Sequence, residues 1–161
     1  DPQFKQTFTA LSDDGMSITK IACEGFGIVL GTKPFRSGIF KWKFIIESLS
    51  NGKKDWIVFG LAEHTECNPS NLVGYNFRNC WGMSTDGSVF RLEGKGEVLE
   101  DGDVIDCEYN ADTRDFVMRC DAKNFDLKGV CTATNPYPFA TVYYKGNKIR
   151  VEIVSNAMHA R

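Results

Sequence analysis

Histidine is scarce, an excess of positive charge is missing, and no long apolar run interrupts the chain. Only 2 histidines occur in 161 residues. His159 sits in a C-terminal tail that is expected to fray, so a Cys-His or Ser-His-Asp apparatus would rest on His64 alone. Lysine and arginine number 19 against 21 acidic residues, a formal net charge of −2, which gives no broad field to draw nucleic acid or an anionic membrane. No segment nears the roughly 20 apolar residues that cross a bilayer, and the opening "DPQFKQTF" lacks the layout of a signal peptide. The 6 cysteines include no C-x-x-C pair, which removes the usual zinc and thioredoxin-type spacings. The one Asn-x-Ser/Thr candidate, Asn68-Pro69-Ser70, is blocked by its proline. An intracellular, cytoplasmic and reducing setting is the expectation.

What is present is globular and aromatic. Hydrophobic residues make up 42% and charged residues 25%, well outside the range of disordered chains, and 161 residues suffice for one domain that needs no staples. With no repeat, linker or low-complexity tract, residues 1–161 are expected to form a single domain. The dominant pattern is period two. In "IFKWKFIIE", Phe40, Trp42, Phe44 and Ile46 share one face and Lys41 and Lys43 the other, as in a strand with one wet side. Ile105, Cys107 and Tyr109, then Phe116, Met118 and Cys120, alternate in the same way around "NADTRD", which predicts a hairpin with both cysteines as small core residues. "MSITKIA" and "GIVLG" read as short strands after a turn at Asp13–Gly15, and "FATVYY", "KGN" and "KIRVEIV" read as a further hairpin. No window shows helical spacing, so the chain is expected to be an all-β sandwich or barrel.

One stretch resists a packing explanation. "EHTECNPSNLVGYNF", Glu63 to Phe77, is polar and turn-forming between two apolar strands, longer than a connection needs. It reads as a wall of a recognition surface. Pro69 stiffens it, Asn68, Asn71 and Asn76 offer amides to a peptide backbone, and Tyr75 offers a rigid anchor. A solvated loop without a partner is the plain alternative.

Catalysis has one opening, at "DVIDCEYN". Asp106 and Glu108 lie two apart on a strand, about 7 Å from each other, within the range of paired glycosidase carboxylates. In a glucanase-like Glu-x-Asp-x-Glu strand, Val104 would occupy the place of the first glutamate, and a retaining mechanism cannot lose its nucleophile. The acidic cluster Glu97, Glu100, Asp101 and Asp103 lacks a calcium-loop pattern, and "EGKGE" opens no helix that could hold phosphate. No enzyme activity, cofactor or metal is expected.

The order of several segments resembles the SPRY (B30.2) family. "RSGIFKWKFII" is similar to its Ser-Gly-x-x-Tyr-Trp-Glu-Val stretch and "DWIVFGLAE" to the following Val-Gly-Val-Ala strand. "NCWGMSTDGSVF" resembles the Ser-Trp-Gly-Leu segment, "EDGDVIDCEYNADTRDFVMRC" the Gly-Asp-x-Ile-Gly hairpin, and "YPFATVYYKGNKIRV" the closing Tyr-Pro-x-Val strands. Together they cover about residues 24–154 in family order, without a PRY-type N-terminal half. The resemblance implies a two-sheet antiparallel β-sandwich, a concanavalin A-like jelly roll, that binds a short peptide of a partner protein through rim loops. In many members it selects the substrate of a ubiquitin ligase. By position, the implied contacts are Asp55, Tyr75, Tyr143 and Tyr144, and Arg36 with Asn68, Asn71 and Asn76 of the long loop completes the expected rim. The chain departs from the family at "FVMRCDAKN", where Phe-x-x-Asn-Gly is common, at Lys43, and at Tyr144-Lys145 in place of Trp-Gly. A protein or peptide partner and a monomeric isolated domain are expected, with a carbohydrate-binding lectin-like sandwich as the alternative.

Overall fold

The computed structural model describes residues 9–11, 17–20, 27–30, 36–49, 57–63, 80–134, 136–142 and 146–157. All regular structure among them is β: β1 (Thr9–Leu11), β2 (Ser17–Lys20), β3 (Gly27–Leu30), β4 (Ile39–Ser48), β5 (Ile57–Glu63), β6 (Cys80–Ser84), β7 (Val89–Phe90), β8 (Val104–Asn110), β9 (Asp115–Cys120), β10 (Phe125–Val130), β11 (Pro136–Val142) and β12 (Lys148–Ala157). They form two antiparallel sheets, one of seven strands in the order β1-β2-β12-β4-β8-β9-β10 and one of five in the order β3-β11-β5-β6-β7. The alternation predicts an all-β sandwich or barrel, and the structure is the two-sheet sandwich that the resemblance implies.

The core follows from that alternation. On β4, Phe40, Trp42, Phe44 and Ile46 are all buried, and Ile105, Cys107 and Tyr109 of β8 with Phe116, Met118 and Cys120 of β9 extend the same inner face. The facing sheet contributes Ile57, Phe59, Leu61, Trp81 and Met83. Phe44 and Phe59 join the two layers with ring centroids 4.8 Å apart. β5 and β6 are buried on both faces, with Val58, Ala62, Cys80 and Phe139 forming a second cluster. Burial on both sides explains why "IVFGLA" and "CWGMS" run apolar without alternating. The four described cysteines, Cys80, Cys107, Cys120 and Cys131, are free and buried, as expected of small core residues.

The expected closing hairpin is corrected. β11 pairs with β3 and β5, whereas β12 pairs with β2 and β4, so the two strands belong to opposite sheets and the short connection between them crosses the sandwich. Both strands have a core-facing side, which a short connection in sequence cannot distinguish from a hairpin. Among the described residues β3 pairs only with Phe139–Val142, so Pro136 and Pro138 of β11 are paired there with β5 alone, a position that a strand proline tolerates.

The β8–β9 hairpin forms as predicted, with a turn over 111–113. β10 then adds a strand through the turn Asp121–Asn124, where Asn124 takes a left-handed conformation at φ 56 and donates its N–H to Asp121 O. Asparagine replaces the usual glycine there because its short polar side chain visits this region at low cost. After β7 the chain crosses to the seven-stranded sheet, where Glu93 and Lys128 exchange backbone hydrogen bonds of 2.7 and 3.0 Å. That contact covers part of the open edge of β10, an edge that would otherwise invite pairing with another chain.

Candidate interaction surface

The registers define two ends of the sandwich. At one end Ile57 faces Val142 and Val58 faces Ser84; at the other Glu63 faces Pro136 and Ala62 faces Cys80. The seven residues of β5 separate these ends by about 20 Å at 3.3 Å per residue.

Local hydrogen bonds hold the Ile57 end. Thr85, 1% exposed, accepts the Ile57 N–H on its Oγ1 at 3.2 Å and donates its own N–H to Ile57 O at 3.0 Å. Its carbonyl accepts from Leu99 N at 2.8 Å. Asp101 Oδ1 accepts the Leu49 N–H at 2.8 Å, which fixes the end of β4 just before the segment that contains Asp55. Asp103, nearly buried, accepts from Glu100 N at 2.8 Å, and the Lys123 ammonium lies 3.2 Å from Glu100 Oε2 and 3.9 Å from Asp103 Oδ2. Lys123 therefore pairs with Glu100 and Asp103, two of the four carboxylates of the acidic turn weighed for calcium, and Glu100 holds its ammonium above its ordinary pKa. Among the described residues no group of three or more His, Cys, Asp or Glu could hold a metal ion.

Of the sequence-derived contacts, Asp55, Asn68, Asn71, Tyr75, Asn76, Tyr143 and Tyr144 lie outside the described residues, as do His64 and Cys67. What the structure describes is where their neighbours sit. Tyr143 follows Val142, and Val142 is the register partner of Ile57, two residues after Asp55. Glu63 and Cys80, which bracket the long polar stretch, stand at the far end. Arg36 is exposed and also at that far end, next to Gly38, whose carbonyl accepts from Ala111 N at 2.8 Å. Thr85 and Lys123 do not stand out in the sequence, and Asp101 stands out only as part of the acidic cluster. "EDGD" and "STDGS" carry turn chemistry, but what they fix is visible only once the strands are paired.

The carboxylates weighed for catalysis occupy the outer face of the seven-stranded sheet. Glu108 Oε1 is 3.3 Å from Lys41 Nζ and Asp106 Oδ1 is 3.9 Å from Lys43 Nζ, each with its cross-strand partner on β4. All four side chains are about half exposed, as on the wet face of a half-buried strand. Arg91 covers the other side of the core, its guanidinium carbon 5.7 Å from the centre of the buried Trp81 ring.

Burial is the chief cause of the shifted acids. It pushes the Cys131 thiol from 9.0 to about 11 and the Tyr109 phenol from 10.0 to about 12, and raises Cys107 well above 9.0. Each folded value exceeds the unfolded one, so the stability from keeping these groups neutral is complete below about pH 9 and is lost as pH climbs through 11 and 12. Two outcomes are expected. The urea midpoint falls between pH 9 and 11, and a thiol reagent on the native chain labels none of Cys80, Cys107, Cys120 and Cys131, as read by peptide mass spectrometry. Labelling of Cys107 in the native state would contradict the packing described.

No protein-family model and no curated protein matches the sequence. Solved structures do match in fold. The chain is similar to the SPRY domain of human HERC1, with a TM-score of 0.67 and 18% identity over 100% of this chain and 99% of that one. It is similar to a human SPRY domain, at 0.60 and 11% identity over 91% and 95%. It is also similar to the PSpry domain of TRIM65, at 0.62 and 9% identity over 96% and 90%. The chain has the SPRY-domain fold.

Proposed function

We propose that this domain is a non-catalytic protein-interaction module that grips a short peptide of a partner with irregular segments carried by the sandwich. The observation that carries this reading is the hydrogen-bonded frame at the Ile57 end. Thr85 holds Ile57, Asp101 holds Leu49, and Val142 lies in register with Ile57, so the segments bearing Asp55 and Tyr143–Tyr144 start from fixed, neighbouring points. Roots fixed in advance reduce the entropy lost on binding. Tyr75 lies only five residues before Cys80, at most about 18 Å of extended chain, so it and its neighbours Asn68, Asn71 and Asn76 serve a peptide that runs from this end toward the Glu63 end. Arg36, about a strand length away, would meet only a peptide that runs along the sandwich.

The SPRY-domain fold of the solved neighbours supports an interaction role over the glucanase and lectin alternatives. The substrate-selecting part of a larger intracellular ubiquitin ligase or signalling protein is the setting that fits best. Tyr75→Ala is expected to weaken binding to a peptide recovered from an array by about 1–3 kcal/mol while the melting temperature stays nearly unchanged. Calorimetric titration and a thermal melt read the two quantities. Loss of folding would make Tyr75 a core residue, and glycan-array binding without peptide binding would replace this reading with the lectin.

A further inference from the structure

The outer face of the seven-stranded sheet carries charge in a definite order. One row across five strands reads Glu152, Lys43, Asp106, Arg119 and Asp126, alternating in sign at every step. The next row holds Lys41, Glu108, Val117 and Lys128, with Val154 beside Lys41 where the β12 register shifts. Val154 is 55% exposed, and a shallow depression of about 300 Å³ runs between it and Val117 over these charged residues.

We infer that this face is an interaction surface for a second copy of the chain, paired about a two-fold axis that runs along the strands between β4 and β8. A two-fold interface must be self-complementary, and few placements of the axis satisfy that condition here. This one sets Lys43 against the Asp106 position of the other copy, Lys41 against Glu108, Arg119 against Glu152, and the exposed Val154 against Val117. An axis on β8 would oppose Lys43 to Arg119, and one on β4 would oppose Glu152 to Asp106. An axis across the strands would oppose Lys41 to Lys43. The six charges that meet, Lys41, Lys43, Arg119, Asp106, Glu108 and Glu152, sum to zero, so approach carries no net repulsion from this face. Sheets pack face to face at a shallow angle, and the four strands that oppose one another, β12, β4, β8 and β9, by six residues make a face of roughly 19 by 20 Å. That is the low end for a specific interface and predicts a weak dimer in place of a strict monomer.

Sedimentation velocity on the full 161-residue chain from about 5 to 500 µM tests the inference. The weight-average mass is expected to rise toward twice the monomer with concentration, and to fall back as salt goes from about 0.05 to 0.5 M. Arg119→Glu and Glu152→Arg, each folded by near-ultraviolet circular dichroism, should each weaken self-association about ten-fold or more. Mixed together they should associate more tightly than either does alone, because one opposed pair is restored with its signs exchanged. Val154→Asp gives an independent probe at an exposed position and should also abolish the dimer. A chain that stays monomeric across the range, a dimer indifferent to these substitutions, or a mixture no tighter than its components would each overturn the inference.

Discussion

Trp42→Ala is expected to cost about 3–5 kcal/mol of folding stability, as deleting a large buried aromatic does when its surroundings cannot close the cavity. Trp42 is 1% exposed and its ring lies nearly parallel to that of Phe116, 5.8 Å away, and edge-on to Phe44 at 6.2 Å. Phe44 in turn meets Phe59 of the opposite sheet. Removing the indole therefore loosens the contact that joins the two layers as well as one strand. A domain of this size shifts by about 2–4 °C per kcal/mol, so the melting temperature should fall by roughly 6–20 °C. Lys43→Ala is the control. Its ammonium lies 3.9 Å from Asp106 on a half-exposed face, and its loss should change stability by less than about 1 kcal/mol. Equal effects from the two substitutions would mean that β4 presents its faces the other way round.

The alternation that makes Trp42 and Lys43 so unequal is also what made the sheets legible. Wherever one face is wet and one is dry, as on β4, β8 and β9, period two in the sequence gives both the strand and its orientation. Legibility stops where pairing is decided between distant residues. Phe139–Val142 of "FATVYY" and the "KIRVEIV" segment are strands, but nothing in their composition says that β11 joins β5 while β12 joins β4, since either partner would bury the same apolar residues. β10 does not stand out in the sequence because its turn uses Asn124 at φ 56 where a glycine would mark it. At the site, Thr85 acts through hydrogen bonds to Ile57, 28 residues away, a distance over which no local pattern extends. Tyr75 and Asn71 stand out in the sequence for the opposite reason, that a core has no use for them there.

A comparably large effect is expected where β5 meets β6. Gly60 and Gly82 are register partners, and their backbones approach so closely that a Cβ on Gly60 would stand 2.1 Å from Trp81 O and one on Gly82 2.1 Å from Phe59 O. Both obstacles are backbone atoms in hydrogen-bonded strands, so neither can swing aside as a flexible side chain would. Gly60 also has φ +150, which side chains rarely adopt. Overpacking of about 1–3 kcal/mol and backbone strain of similar size should add, so Gly60→Ala is expected to cost about 2–6 kcal/mol and to sharply reduce soluble yield. Gly82→Ala should cost nearly as much through the clash alone. Gly102→Ala separates strain from crowding, because Gly102 has φ +89 but nothing within 4 Å of the added Cβ, and should lose only about 1–2 kcal/mol. Urea unfolding of the three variants ranks them, with Gly60→Ala the worst and Gly102→Ala the mildest. If Gly60→Ala melted within a few degrees of the parent, β5 and β6 could not be paired glycine to glycine. The five-stranded layer would then lose the register that places Ile57 beside Val142 and Thr85, and with it the frame from which the proposed peptide grip begins.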